Sequence, residues 1–145
     1  MTELNDFQKR WEHFYREDGG VHDVAQTLRV YAIDGNKDQV KLGMPLHKAI
    51  TQPAGMFSAP ALFGQADLCG TWLAMQQVPE GVFPLAVSVA GNVVSNTKEG
   101  DAIATATIVR AGRTIIVADV ETHSEVTGAI LSKFTFTYSV PRPKQ

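Results

Sequence analysis

Residues 60–76, PALFGQADLCGTWLAMQ, decide how the rest of the chain is read. The run spans 17 residues without the apolar/polar alternation of a strand, and it is too long for an ordinary strand. It therefore predicts a helix, with Ser58 standing where a cap belongs and Pro60 suited to the first turn. Apolar residues occupy most of its circumference, so the expectation is a buried helix rather than a half-exposed one.

Downstream, residues 82–94, 102–110, 114–124 and 130–140 are rich in Val, Ile, Thr and Phe and are separated by short polar turns. Such connections are too short for parallel crossovers, so these are antiparallel strands. Upstream, Leu28-Val30-Ala32 and Val40-Leu42 flank the turn Asp34-Gly35-Asn36 and read as two short strands, and residues 43–54 form an irregular approach loop. Residues 3–17 place Leu4, Phe7, Trp11, Phe14 and Tyr15 at helical spacing, and Asp18-Gly19-Gly20 ends that helix. The last residues, PRPKQ, read as a frayed tail. The expected class is α+β: a strongly curved antiparallel sheet wrapped around one long central helix. The expected division is an amphipathic helix over residues 1–19, one domain over 20–140 and a tail over 141–145.

Composition narrows the function. The 145 residues carry 13 Lys and Arg against 15 Asp and Glu, a formal charge of −2 that supplies no broad cationic field for nucleic acid. The amino terminus is too charged for a secretory signal, and no uninterrupted apolar run of membrane-spanning length occurs, so a cytoplasmic protein is expected. Cys69 is the only cysteine and has no intrachain bridging partner. His13, His22, His47 and His123 form no zinc-ligand spacing, so no metal is expected.

Asp67 is the only formally charged residue between Ala49 and Pro79, and it sits mid-way along the helix. A carboxylate so placed must be hydrogen-bonded, compensated, protonated or open to a wet cleft. Gly64 and Gly70 lie three residues to either side, each costing the helix about 1 kcal/mol relative to alanine. They leave room beside the carboxylate for a ligand or for another backbone element, or else serve close helix-to-sheet packing around a structurally satisfied Asp67. Thr71, at i+4, shares the carboxylate's face. Before the helix, Gln52-Pro53-Ala54-Gly55-Met56-Phe57-Ser58-Ala59-Pro60 places backbone N–H groups, of Ala59 or a neighbouring non-proline residue, where helix N-terminal donors point toward incoming negative charge, open to an oxyanion or else satisfied by Ser58 or water.

The segment 52–71, QPAGMFSAPALFGQADLCGT, followed by GDAIATATIVRAGRTIIVADVET over 100–122, resembles the hot-dog-fold acyl-CoA thioesterases of the phenylacetate-pathway and 4-hydroxybenzoyl-CoA type. The resemblance covers about residues 20–140. That family commonly shows Asn or Gln, then glycine, then His-Gly-Gly at the helix start, with an acid nine residues after the histidine. Gln52, Gly55, Ser58 and Asp67 fall on those positions, Ala59 and Pro60 replace the two glycines, and Thr71 matches a hydroxyl used by some members. Ala59 retains the backbone donor that the family uses on the thioester carbonyl. The histidine's contribution has to be replaced or lost.

The resemblance implies hydrolysis of an acyl or aryl thioester to free acid and coenzyme A, with Asp67 as general base or nucleophile. Ala59 would polarise the carbonyl, and Gln52 and Thr71 would orient water or substrate. Gly55, Phe57 and Ser58 would contact the substrate, and Arg110 and Arg113 would attract the phosphates of coenzyme A. No separate cofactor is implied; coenzyme A is part of the substrate. The family's sites lie between protomers, so a homodimer or homotetramer is expected, with Gln52 and Ala59 facing Asp67 of a second copy. Two other functions remain: an acyl-CoA-binding protein whose Ser-Ala-Pro start has lost catalysis, and an acyl-CoA hydratase or dehydratase, which usually needs a histidine that does not accompany Asp67.

Overall fold

The computed structural model describes residues 3–16 and 23–142. The expected helix stop at Asp18-Gly19-Gly20 and the last three residues of the tail lie outside them. The first helix, α1 (Asp6–Arg16), is capped reciprocally: the Gln8 N–H donates to Asn5 Oδ1 at 2.8 Å, and the Asn5 N–H donates to Gln8 Oε1 at 2.9 Å. Its apolar stripe buries Phe7 and Trp11. Leu28, expected in a strand, instead ends a short helix, α2 (Val24–Leu28), which Asp23 and Gln26 cap in the same way.

Six strands follow the chain order β1 (Tyr31–Gly35), β2 (Gln39–Met44), β3 (Leu85–Val93), β4 (Ala102–Ala111), β5 (Ile115–Ser124) and β6 (Ile130–Ser139). The long helix α3 (Ala59–Met75) stands between β2 and β3. All pairings are antiparallel, and the sheet order is β1-β2-β4-β5-β6-β3. Ala102, Ala104, Ala106 and Ala118 are fully buried beneath α3. Their small side chains let the helix come close enough for Cys69 Sγ to donate to the Val40 carbonyl at 3.3 Å. Gln65 Nε2 donates to the Leu42 and Ala102 carbonyls at 3.1 and 2.8 Å, fastening the helix across two strands.

The expectation of a strongly curved sheet wrapped around one long central helix is corrected. The sheet is open and ends in two edges, β1 and β3, that do not pair with each other. Nor does one helix do the covering: α1 packs Phe7 and Trp11 on Trp72 of α3 with ring centroids 5.6 and 5.0 Å apart, and Leu28 of α2 abuts Gly64. With the layer shared, α3 is not enclosed. Phe63 is 40% exposed, and Asp67 and Thr71 are half-buried along the same flank. The edge strand β3 is shorter than the run expected over 82–94, and all nine of its residues are exposed.

Candidate active site

Two clusters of polar groups lie along α3, one at its start and one in its middle. At the start, residues 51–58 form a compact loop. Thr51 and Phe57 bridge, the Gln52 N–H donates to the Met56 carbonyl, and the Ser58 N–H donates to the Ile50 carbonyl, the last two both at 2.9 Å. Gly55 adopts φ +82°, a left-handed turn geometry that a side chain would strain. Gln52 turns its Oε1 back to accept from the Ala54 N–H, leaving Nε2 as the part able to reach a ligand. Phe57 is fully buried and anchors the loop, and Asn96 locks its backbone by accepting from the Phe57 N–H at 3.1 Å and donating to its carbonyl at 2.8 Å.

Ser58 caps α3, its Oγ accepting from the Ala61 N–H at 3.3 Å. The N–H groups of Ala61 and Leu62 also reach the Ser58 carbonyl, at 3.1 Å each. The Ala59 N–H has no acceptor among the described residues, and Ala59 is exposed. A helix N-terminus thus presents one backbone donor to the outside, just ahead of a proline that has none.

In the middle of α3, Asp67 lies on the flank facing β6. Its Oδ1 is buried and has no hydrogen-bond partner, and burial raises its pKa above the usual aspartate value. The Tyr138 hydroxyl donates to the Asp67 backbone carbonyl at 3.2 Å, and the Thr71 side chain hydrogen-bonds the same phenol. Burial pushes the Tyr138 phenol upward, so it stays protonated and serves as a donor. Phe63, one turn before Asp67, packs edge-on against Phe134 at a centroid distance of 5.6 Å.

The two glycines beside Asp67 do not hold empty space. A Cβ on Gly70 would collide with the Tyr138 hydroxyl, and one on Gly64 would come within 3.0 Å of Leu28 Cδ1. Both admit side chains from other elements. Tyr138 escaped the sequence reading: the alternation of Phe134, Phe136 and Tyr138 marks an inner face but does not say which helix residue each meets. Asn96, a single amide in a polar turn, carries no sequence signal.

Within one protomer the structure brings Asp67 and Thr71 together, and it brings Gln52, Gly55, Phe57, Ser58 and Ala59 together. The two groups are not joined: eight residues of helix separate Ala59 from Asp67, about 12 Å along the axis. Arg110 and Arg113 are exposed at the β4–β5 hairpin, and eight strand residues part Arg110 from the Ala102 end beneath Gln65, about 27 Å. Among the described residues no group of three or more His, Cys, Asp and Glu could hold a metal ion, and no helix is long and apolar enough to cross a membrane.

No family model matches the sequence, and no curated protein matches it. Solved structures do match. A thioesterase from Haemophilus influenzae superposes with a TM-score of 0.83 at 17% identity, covering 97% of this chain and 93% of that one. The fold is shared with the hot-dog thioesterases. A thioesterase family protein from Silicibacter pomeroyi gives a TM-score of 0.80 at 24% identity over 94% of this chain and 98% of that one. A Streptococcus mutans protein solved with acetyl CoA bound gives 0.69 at 18% identity over 79% and 90% of the two chains. The likeness is one of fold, carried by the path of the backbone over 97% and 94% of this chain in the first two superpositions.

Proposed function

We propose that this chain hydrolyses an acyl-CoA thioester to a free acid and coenzyme A in an assembly of at least two copies. The observation that carries the reading is Asp67: a carboxylate with a buried, unpartnered oxygen on the one flank of α3 that other elements leave open. A group in that state lacks a structural partner and is available to water or to a reacting carbon. The acetyl CoA bound by the Streptococcus mutans relative supports coenzyme A as the thiol carrier.

In the reaction the thioester carbonyl oxygen accepts from the Ala59 N–H as charge develops on it. Asp67 either takes a proton from the attacking water or attacks the carbon itself, giving an anhydride that water then opens. The C–S bond breaks, a C–O bond forms, and the coenzyme thiolate takes up a proton. Gln52 Nε2 and the Thr71 hydroxyl orient water and substrate. Gly55 gives the backbone room for close approach, Phe57 and Ser58 fix the wall, and Arg110 and Arg113 attract the phosphates.

With Ala59 and Asp67 about 12 Å apart along one helix, the donor in this reading comes from a second copy. The edge strand β3 supports such an assembly, because Leu85, Val87, Val89 and Val93 are exposed on a strand whose outer backbone groups are unpaired. The test is a panel of short, medium, long and aromatic acyl-CoA substrates monitored for free thiol, with wild type and Asp67→Asn. Thiol release by wild type and its loss in a folded Asp67→Asn protein is the expected result. Unchanged kcat/KM in the variant removes Asp67 from the chemistry, and substrate binding without thiol release favours a binding protein.

A further inference from the structure

At the C-terminal end of α3 a cavity of about 810 Å³ opens between α1 and the connection from α3 to β3. Much of its wall is apolar, with Phe14 from α1, Trp72 and Met75 from α3, and Val82 and Phe83 from the connection, while His13 of α1 and Gln76 add polar groups. The Phe14 ring stands edge-on to Trp72 with centroids 5.2 Å apart and lies 6.2 Å from Phe83, so aromatic surface surrounds the space.

Cations gather on one side of it. Lys9 and Arg10, from the same turn of α1, stand at the lining, and Glu80 of the connection is its acidic residue. Arg10 is held in place: it donates to Gln76 Oε1 at 3.2 Å and its guanidinium carbon lies 5.8 Å from the Phe7 ring centroid. Arg10 makes no ion pair with any carboxylate among the described residues. Among the described residues, the ion pair of Lys9 is a solvated contact to Glu3 at 3.8 Å. A guanidinium that no carboxylate pairs with among the described residues, at the lip of an aromatic-walled cavity, matches a ligand with an anionic head and an apolar body.

We propose that this cavity is a second binding site, distinct from the Asp67 flank, for an amphipathic carboxylate of the fatty-acid type. The head pairs with Arg10 and Lys9, and the tail lies between Trp72, Met75, Val82 and Phe83. The inference goes beyond the hydrolysis reading and stands whether or not Asp67 cleaves a thioester.

Trp72 in the wall makes tryptophan fluorescence the readout. Titration of the full chain with dodecanoate is expected to saturate, and affinity should rise by about fourfold per methylene from octanoate upward, the worth of each buried CH₂. Arg10→Gln should weaken dodecanoate by about tenfold, the loss of one charge-assisted hydrogen bond, and leave dodecanol unaffected. Val82→Trp, or Val82→Phe if the larger residue disturbs folding, narrows the apolar end of the cavity and should weaken both ligands by about tenfold or more at unchanged melting temperature. Three results overturn the proposal. One is equal affinity for dodecanoate and dodecanol that Arg10→Gln does not separate, and another is an affinity for both ligands that is unchanged in a folded Val82→Trp or Val82→Phe protein. The third is competitive displacement of dodecanoate by S-dodecyl-coenzyme A, a thioether that resists hydrolysis, since that would make the cavity the tail end of the thioester site.

Discussion

The sheet-facing side of α3 and its open flank treat polar groups in opposite ways. On the sheet side, Gln65 and Cys69 are fully buried, yet both donate to strand carbonyls and so hold the helix in register with β2 and β4. Gln65 Oε1 is left without a partner, a cost that a neutral amide tolerates at about 1–3 kcal/mol. On the open flank two residues later, Asp67 has the same defect on a group that carries full charge when ionised. The sheet side therefore reads as structure. The open flank, where desolvation is incomplete and the charge unanswered, reads as a place kept for something else.

The sharpest way to break that contrast is to separate the two halves of the proposed site between copies. Asp67→Asn and Ala59→Pro are each expected to lose about 10²- to 10⁴-fold in thioester hydrolysis, the range for removing a positioned proton-transfer group or an oxyanion donor. Refolded together, they should recover about a quarter of wild-type activity. Half of the randomly formed twofold dimers are mixed, and each mixed dimer rebuilds one of its two sites. Free-thiol assays on the mixture against each variant alone decide it. No recovery from proteins that do associate would mean that Asp67 and Ala59 act within one copy or not at all.

Leu62→Ala addresses the other side of the helix. Leu62 is fully buried, and its truncation should cost about 2–5 kcal/mol of stability, read by urea unfolding, while activity per folded molecule changes little. A variant that loses activity in proportion to Asp67→Asn without losing stability would show that the sheet side, too, serves the chemistry.

Gly70 lies where the two sides meet. Alanine there gains about 1 kcal/mol of helix propensity but collides with the Tyr138 hydroxyl, and displacing a buried side chain costs about 1–3 kcal/mol. The net change should be destabilising by roughly 1 kcal/mol in wild type and vanish or reverse sign in the Tyr138→Phe background, because the two positions share one contact. Additive melting temperatures across the four proteins would contradict the close approach.

How much of this was legible in the chain follows from the range of each interaction. The helix at 59–75 and strands β4 to β6 declare themselves through length and residue type over ten or more positions. The five residues of α2 are too few for a period, and only the Asp23–Gln26 cap marks them. Sheet order and closure depend on which edges find partners, and no local pattern encodes that, so the expected wrap gave way to an open sheet. Asp67 was conspicuous because isolation of a charge is a sequence property. The reason for Gly64 and Gly70 was not, because Leu28 and Tyr138, which use their missing side chains, lie far away along the chain.

The smallest expected effect is also the one that isolates the charge itself. Burial raises the pKa of Asp67 in the folded protein above its unfolded value of 3.8, so the folded state holds that proton more tightly. Stability contributed by this group is thus present below pH 3.8 and falls as pH rises through the folded pKa, the reverse of a salt-bridged aspartate. Asp67→Asn should therefore be more stable than wild type at neutral pH, with the difference closing as both are acidified below 3.8. Hydrolysis should run the other way, falling in wild type as acid protonates the carboxylate at a pH above that of an ordinary aspartate. Urea unfolding at a series of pH values, set beside the pH dependence of kcat/KM, measures both. If the ionised carboxylate were paired within the structure, the Asn variant would be the less stable protein at neutral pH, and the open flank would then be packing like the rest of α3.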